Sequence, residues 1–237
     1  DGFRVPVPPR ERRTIREEAA MSTPMSSEYG LASLPGHFHG FALMHIAMRR
    51  DARRLLAAAP ALTPAGLGAA AAWWRQLRDI IDWHHHSEDE VLWPGLLSRA
   101  PRFAAEARRL ADDHAVLDRA MEAVTTALSR GGNPAAVGPA ATRFDSVLRD
   151  HLRDEETVSF PVFAQLSPGD YLAVERKVIA SAPFTVMRRL QPWMFDGADK
   201  RSVAHVAATI PPPVRLIGNT VLRRRYERTL AGVTRPH

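Results

Sequence analysis

Two segments of the chain place a histidine, a glutamate and a proline at the same spacing. Residues 84–94 read HHHSEDEVLWP and residues 151–161 read HLRDEETVSFP, so the offset between matching positions is 67 residues. In each segment the glutamate follows the histidine by four residues, which places both side chains on one face of a helix. Such a pair can bind one metal ion, or the glutamate can bridge two ions. The matching residues are His84, Glu88 and Pro94 in the first segment and His151, Glu155 and Pro161 in the second.

Two single histidines precede these segments with nearly the same offset. His45 and His114 are 69 residues apart, and each is followed by an apolar residue at the third position and an arginine two residues further on. The order along the chain is therefore a histidine and a His-x3-Glu pair, then the same again. This pattern predicts a duplicated helical hairpin that carries metal ligands. The candidate ligands are His45, His84, Glu88, His114, His151 and Glu155.

Four helices must position these side chains. The apolar spacing predicts them at about 34–59, 63–98, 101–131 and 134–166. Pro94 is expected to kink or end the second helix, since proline removes a hydrogen bond from a helix interior. Because the connections are short, neighbouring helices should run antiparallel. The predicted fold is all-α, an up-down-up-down four-helix bundle with a C-terminal helical extension.

The candidate ligands fall on the predicted buried faces of their helices. His45, for example, lies four residues after Phe41 and three before Met48, and the other candidates have similar apolar neighbours at helical spacing. A carboxylate on a buried face is costly unless it is paired or bound to metal. Two glutamates at matching buried positions therefore favour a dinuclear metal site at one level of the bundle.

Several neighbouring residues leave the ligand set open. Two further pairs share the four-residue spacing: His85 with Asp89 and His86 with Glu90. We interpret them as flanking or surface residues, because the second segment matches His84 and Glu88. Asp118 stands four residues after His114 and is an alternative additional ligand. Arg49 takes the corresponding place after His45, which argues against strict symmetry at that position.

The amino-acid composition limits the kinds of metal site that the chain can form. The chain has no cysteine, which excludes disulfides, iron–sulfur clusters and thiolate ligands. A metal held by histidine and carboxylate can be iron, zinc, manganese or copper. A ferritin-like site would need Glu-x-x-His and a zinc protease HExxH, and neither motif occurs. No apolar run is long enough to cross a membrane, and we expect a cytoplasmic location.

The remaining chain is predicted to form two flanking regions. Residues 1–33 are Pro- and Arg-rich at their start and are expected to form a flexible N-terminal arm, whereas 34–166 form the metal-binding domain. Residues 167–237 are expected to form a helical extension that packs on the bundle. Within it, short helices are predicted at about 170–181 and 202–209, and a loop at QPWMFDGADK, 191–200.

The last predicted helix, about 214–230, is amphipathic and strongly basic, with three consecutive arginines from Arg223. The net charge of +6 and the pI near 10.6 are interpreted as a solvated basic surface, and no nucleic-acid partner is expected because no motif supports one. We favour a helix docked on the bundle with its arginines in water. The alternative is an anchor on an anionic membrane surface.

Together, His45, HHHSEDEVLWP, His114 and HLRDEETVSFP make residues 34–166 resemble the hemerythrin-like, HHE cation-binding family. The resemblance implies a four-helix bundle around a non-haem di-iron centre, with two iron ions bridged by an oxo or hydroxo group. Under it, the histidines would be nitrogen ligands and Glu88 and Glu155 the bridging carboxylates. Oxygen-carrying hemerythrins use five histidines, so this set of four would leave more positions open to water or substrate.

The function implied by the resemblance is the binding of a small ligand, namely O2, NO or peroxide, inside the bundle. One alternative is a catalase-like enzyme that decomposes peroxide. Another is an iron or oxygen sensor that acts through the basic C-terminal region. The sequence does not decide whether the protein is an enzyme.

Overall fold

All regular structure is helical in residues 25–129 and 131–234, which are the residues that the computed structural model describes. The all-α prediction is thus confirmed. Four long helical segments carry the candidate ligands, and the second is interrupted by a π-helical segment. Their bounds are α1, His39–Ala58; α2, Leu67–Ser87; a π-helix, Glu88–Leu92; α3, Trp93–Leu97; α4, Ala104–Ala127; and α5, Pro134–Gln165.

The ends of these helices follow local signals in the sequence. The Asn133 side chain accepts a hydrogen bond from the Ala135 N–H, and Pro134 occupies the first turn of α5, where its missing N–H costs nothing. Gly131, with φ of +80°, makes the turn before it in a conformation that favours glycine. At the C-terminal end of α1, the chain continues into a 3-10 turn, Ala59–Ala61, that contains Pro60.

Pro94 distorts the second helix without ending it. The π-helix Glu88–Leu92 immediately precedes α3, and the Trp93 N–H bonds to the Glu88 carbonyl five residues earlier. A proline ring crowds the carbonyl four residues before it and offers no N–H, so the wider turn relieves both defects. Glu88 is the first residue of this wider turn, and π-helical segments are frequent at functional sites.

The ligand-bearing helices pass between two apolar clusters. The first cluster includes Leu55, Trp74, Met121 and Phe144. The second includes Phe38, Leu92, Leu110 and Phe160. Helices α1 and α4 go from the second cluster to the first along the chain, whereas α2–α3 and α5 go from the first to the second. This alternation is the one expected for an up-down-up-down bundle, and the candidate ligands lie between the two clusters.

The C-terminal residues form further helices. They are α6, Pro168–Ala180; α7, Phe184–Phe195; α8, Lys200–Ala208; α9, Pro212–Ile217; a second π-helix, Gly218–Leu222; and α10, Arg223–Thr234. The prediction of a loop at 191–200 is wrong in its first half, since α7 includes Gln191–Phe195. Pro192 weakens the local helix signal. Burial of Leu190 and Trp193 against the bundle outweighs that penalty.

Polar contacts join this extension to α1. Asp51 is buried and accepts from the Trp193 indole N–H at 2.9 Å and from Arg54 Nη1 at 2.9 Å. Asp196 accepts from Arg54 at 2.6 Å and from the Tyr226 hydroxyl at 2.9 Å. These bonds keep the buried carboxylate satisfied and tie α7 and α10 to the same helix that carries His45.

Helix α6 packs closely against α3. A Cβ at Gly95 would lie 2.9 Å from Val174 Cγ1, so glycine is required for that approach. Tyr171 and Val174 are consequently buried in the second apolar cluster.

The predicted terminal helix docks through only part of its length. Leu230, Tyr226 and Val233 pack on the first cluster, whereas four apolar side chains earlier in the segment are 52–65% exposed: Val214, Leu216, Ile217 and Val221. Within the described residues, no helix is both long and apolar enough to cross a membrane.

The predicted N-terminal arm lies outside the described residues as far as position 24. Of its described part, Ser27–Tyr29 forms a 3-10 turn, and Ser27 is buried.

Candidate metal centre

Four of the predicted ligands converge in one buried group. His45 from α1, His84 from α2, Glu88 from the π-helix and Glu155 from α5 place one donor atom each within 4.8 Å of one another. The Nε2 atoms of His45 and His84 face each other at 3.3 Å. Two ring nitrogens and two carboxylates in this arrangement are a set of donors that suits a divalent transition metal.

A second buried group contains three histidines. His85, His114 and His151 place their donor nitrogens within 4.8 Å of one another. The rings of His85 and His114 are stacked with centroids 4.2 Å apart, and both lie about 5 Å from the His151 ring, at 5.1 and 5.0 Å respectively. The prediction that His85 is a flanking or surface residue is wrong, because its side chain is buried in this group.

Each glutamate reaches a histidine of both groups. Glu88 Oε1 lies 2.9 Å from His84 Nε2, and its Oε2 lies 3.8 Å from His114 Nε2. Glu155 Oε2 lies 3.5 Å from His45 Nε2 and 3.7 Å from His151 Nε2. The two groups therefore form one cluster of seven side chains with the carboxylates in the middle.

Most of the oxygen and nitrogen atoms in this cluster that could bind a metal lack the hydrogen-bond partners that buried polar atoms normally have. In the described part of the chain, no hydrogen bond of good geometry reaches either oxygen of Glu88 or Glu155, the 2.9 Å approach of His84 Nε2 to Glu88 included, and none reaches Nε2 of His85, His114 or His151. Buried polar groups are almost always satisfied, because an unsatisfied one costs about 1–3 kcal/mol. These carboxylate oxygens and imidazole nitrogens face one another without hydrogen bonds, and this arrangement fits a site for metal cations.

A family model for the hemerythrin HHE cation binding domain matches residues 38–163, more than half of the chain. The chain belongs to this family. All seven side chains of the cluster lie inside the matched residues. Comparisons of the chain with curated proteins and with solved structures gave no match.

The seven side chains of the two groups form the hemerythrin cluster, and burial shifts the pKa values of its members. Burial lowers the pKa of His84 to about 3 and holds the pKa values of His85 and His151 well below the usual value for histidine. Burial likewise raises the pKa values of Glu88 and Glu155 well above the usual value for glutamate. Neutral imidazoles have a free lone pair, and carboxylates taken out of water gain most from a nearby cation.

Two acids next to the glutamates also contact the hemerythrin cluster, and the sequence analysis missed their role. Asp89 Oδ2 accepts from His114 Nδ1 at 3.2 Å, and Glu156 Oε1 accepts from His45 Nδ1 at 2.9 Å. Burial alone would raise the pKa of Glu156, but hydrogen bonds from His45 and Arg49 bring that pKa well below its usual value. The signal was available, since Asp89 and Glu156 share the 67-residue offset.

The remaining candidates lie at the surface. His86 and Glu90 form an exposed pair 3.9 Å apart, as predicted. Asp118, the alternative ligand, is exposed and is not a member of either group.

Aromatic side chains close the hemerythrin cluster on the His45 side. The Phe41 ring lies 4.5 Å from the His45 ring and 5.4 Å from the His84 ring, centroid to centroid. Phe163 packs edge-on against Phe41 at 5.2 Å. This wall belongs to the second apolar cluster, so the environment of the donors is dry on that side.

Proposed function

We propose that the hemerythrin domain holds two iron ions in a non-haem di-iron centre and binds a small ligand there, either O2, NO or peroxide. His45 and His84 would supply nitrogen to one ion, and His85, His114 and His151 to the other. Glu88 and Glu155 would bridge the pair. This proposed set has five histidines, one more than the four predicted from the sequence, because it includes His85.

The observation that carries this proposal is the position of the two glutamates. Both are fully buried, unsatisfied and within 4 Å of histidines from both groups. Two adjacent ionised carboxylates in a dry interior repel each other, and a pair of divalent cations between two nitrogen groups would neutralise both. One ion would leave one histidine group without a partner.

Iron is the metal that the family and the donors favour together. Histidine and carboxylate ligands suit iron, although zinc and manganese accept the same set. A pair of ferrous ions would supply electrons to O2 or peroxide, or bind NO directly. The residues of the chain would hold the ions apart from water, keep the imidazoles neutral and neutralise the charge.

The surroundings favour a small ligand over a large substrate. The cluster lies between two apolar clusters and against Phe41. The acids and histidines of the cluster would all bind metal. The two acids beside it, Glu156 and Asp89, are hydrogen-bonded to His45 and His114. A diatomic molecule or peroxide needs few polar contacts, so this environment supports binding more than it supports acid–base chemistry on an organic substrate.

The test is to load the protein with ferrous iron without oxygen and then add NO, O2 or peroxide separately. We expect an absorption change that saturates with NO or O2. The change should persist in Glu90→Gln, which alters an exposed neighbour, and disappear in Glu155→Gln. Sustained release of O2 from peroxide, faster than with free iron, would support the catalase-like enzyme instead. No response to any of the three molecules would contradict both functions.

A further inference from the structure

The residue that follows each glutamate of the cluster is an acid that contacts a histidine on another helix. Asp89 accepts from His114 Nδ1 at 3.2 Å, and Glu156 accepts from His45 Nδ1 at 2.9 Å. In each half of the duplication the contacted histidine is the single one, not the one in the His-x3-Glu pair. The two contacts therefore correspond in the duplication, with the acids 67 and the histidines 69 residues apart.

These contacts decide which ring nitrogen can bind metal. A carboxylate only accepts, so the imidazole must carry its proton on Nδ1 and its lone pair on Nε2. Nε2 of His45 lies 3.5 Å from Glu155 Oε2, and Nε2 of His114 lies 3.8 Å from Glu88 Oε2. Both lone pairs therefore lie on the side of the cluster.

The two acids differ in burial. The Asp89 side chain is 39% exposed, whereas Glu156 is fully buried. Besides the His45 bond, Glu156 Oε1 accepts from Arg49 Nη1 at 2.7 Å and from the Ser27 hydroxyl at 2.5 Å. Glu156 Oε2 accepts from the Ser27 N–H at 2.9 Å and from the Ser26 hydroxyl at 2.8 Å.

The same network fixes the turn that precedes the bundle. Arg49 Nη1 also donates to the Ser27 hydroxyl at 2.7 Å, and Ser27 begins the 3-10 turn Ser27–Tyr29. Arg49 thus has a role that explains its departure from symmetry: it compensates the charge of Glu156 and holds the turn. One buried carboxylate joins the docking of this turn to the orientation of His45.

We propose that Asp89 and Glu156 are matched positioning residues that hold His114 and His45 with Nε2 directed at the metal centre, and that Glu156 does so fully only while the Ser26–Ser27 segment is docked. The functional consequence rests on the proposed metal centre. The hydrogen bonds themselves involve only residues of the chain. When the segment undocks, Glu156 loses three donors and is free to leave His45, so metal affinity falls.

The first experiment needs no metal. Nitrogen-15 NMR of the histidine rings should show His45 protonated at Nδ1 in the metal-free protein, and Glu156→Ala should abolish this preference. Hydrogen exchange at the Ser27 amide should become about tenfold faster in the same variant, because that amide loses its acceptor. The matched control is Asp154→Asn on the same helix, with a side chain that is 54% exposed.

The second experiment measures ferrous-iron affinity by competition with a chelator. Replacing a carboxylate behind a metal-binding histidine typically lowers affinity 10- to 100-fold. We expect a loss in that range for Asp89→Asn and for Glu156→Gln, a smaller loss for Ser27→Ala, and none for Glu90→Gln. Asp89→Asn guards against misfolding, because the Asp89 side chain is partly exposed and its replacement leaves no buried charge unpaired.

The outcomes separate this inference from the proposed function. Wild-type affinity in both acid variants, together with an unchanged His45 tautomer in Glu156→Ala, would overturn the positioning role. Unchanged affinity and exchange in Ser27→Ala would overturn the coupling to the docked segment. If the wild-type protein bound no iron, the metal centre would be refuted, while the ring tautomer and the Ser27 exchange would still decide the positioning claim.

Discussion

Glu88→Gln should have opposite effects on the metal-free and the metal-loaded protein. Glu88 is fully buried and makes no hydrogen bond of good geometry in the described part of the chain. Burial holds its folded-state pKa well above the usual value near 4.5. Above the usual pKa, the unfolded chain ionises freely whereas the folded chain resists ionisation, so the wild-type protein loses stability as the pH rises towards the folded pKa. Glutamine does not titrate and avoids this loss.

The magnitude follows from the pKa difference between the folded and unfolded states. Each pKa unit corresponds to about 1.4 kcal/mol, and each kcal/mol shifts the Tm of a chain of this size by about 2–4 °C. The metal-free variant should therefore melt about 3–6 °C above wild type for every unit. This difference should be near zero at pH 4.5 and grow as the pH rises.

Bound metal should reverse the order. An ion present at about 1,000 times its Kd stabilises the folded state by about 4.1 kcal/mol, and Glu88→Gln should lose most of this gain with its bridging carboxylate. The assay is thermal unfolding of both proteins at several pH values, with and without iron. Glu90→Gln is the control, because Glu90 is 66% exposed. A metal-free Glu88→Gln protein that is less stable than wild type at pH 7, with no pH dependence in the difference, would refute the reasoning.

Three further predictions address the fifth histidine, the histidine protonation and the extension. His85→Ala should lower bound iron per chain, measured by elemental analysis, whereas His86→Ala should not, because His86 is 68% exposed. Acid should remove the stabilising contribution of neutral His84: its pKa is about 3 in the folded state, so the metal-free wild type should lose stability relative to His84→Gln as the pH falls from 6.5 towards 3, which urea unfolding of both proteins would show. Trp193→Ala should lower the free energy of unfolding by about 3–5 kcal/mol, because this buried side chain joins α7 to Asp51. Its iron content in the folded fraction should stay at the wild-type level; a loss of iron there would link the extension to the site.

Most residues of the cluster could be predicted from the sequence, because helical periodicity shows which side chains share one face of a helix. His84, Glu88, His151 and Glu155 repeat with one offset, and a buried face is readable from apolar neighbours three and four residues away. The positions of the long helices follow for the same reason. Their ends also carry local signals, such as Asn133 before a proline.

His85 was missed because periodicity fixes only one face of a helix. Three consecutive histidines point in directions about 100° apart, and the four-residue rule selects one of them. Whether the next one is buried depends on the neighbouring helix, and here His114 on α4 stacks on His85 at 4.2 Å. Such a contact between helices has no signature in the local sequence.

Helix α7 and the role of Arg49 were missed for related reasons. The proline in QPWMF opposes a helix locally, and only burial of Trp193 against the bundle overrides it. Arg49 looked like a break in symmetry because its partner, Glu156, is 107 residues away. Long-range pairs of this kind require the packed structure.

The most direct test of the metal centre is the iron content of the protein after anaerobic loading and removal of excess metal, measured together with its absorption spectrum. Seven buried side chains in two groups, bridged by Glu88 and Glu155, predict two iron ions per chain. They also predict that Glu88→Gln and Glu155→Gln reduce this number while Glu90→Gln leaves it at two. One iron per chain, or none, in the loaded wild-type protein would contradict a dinuclear centre.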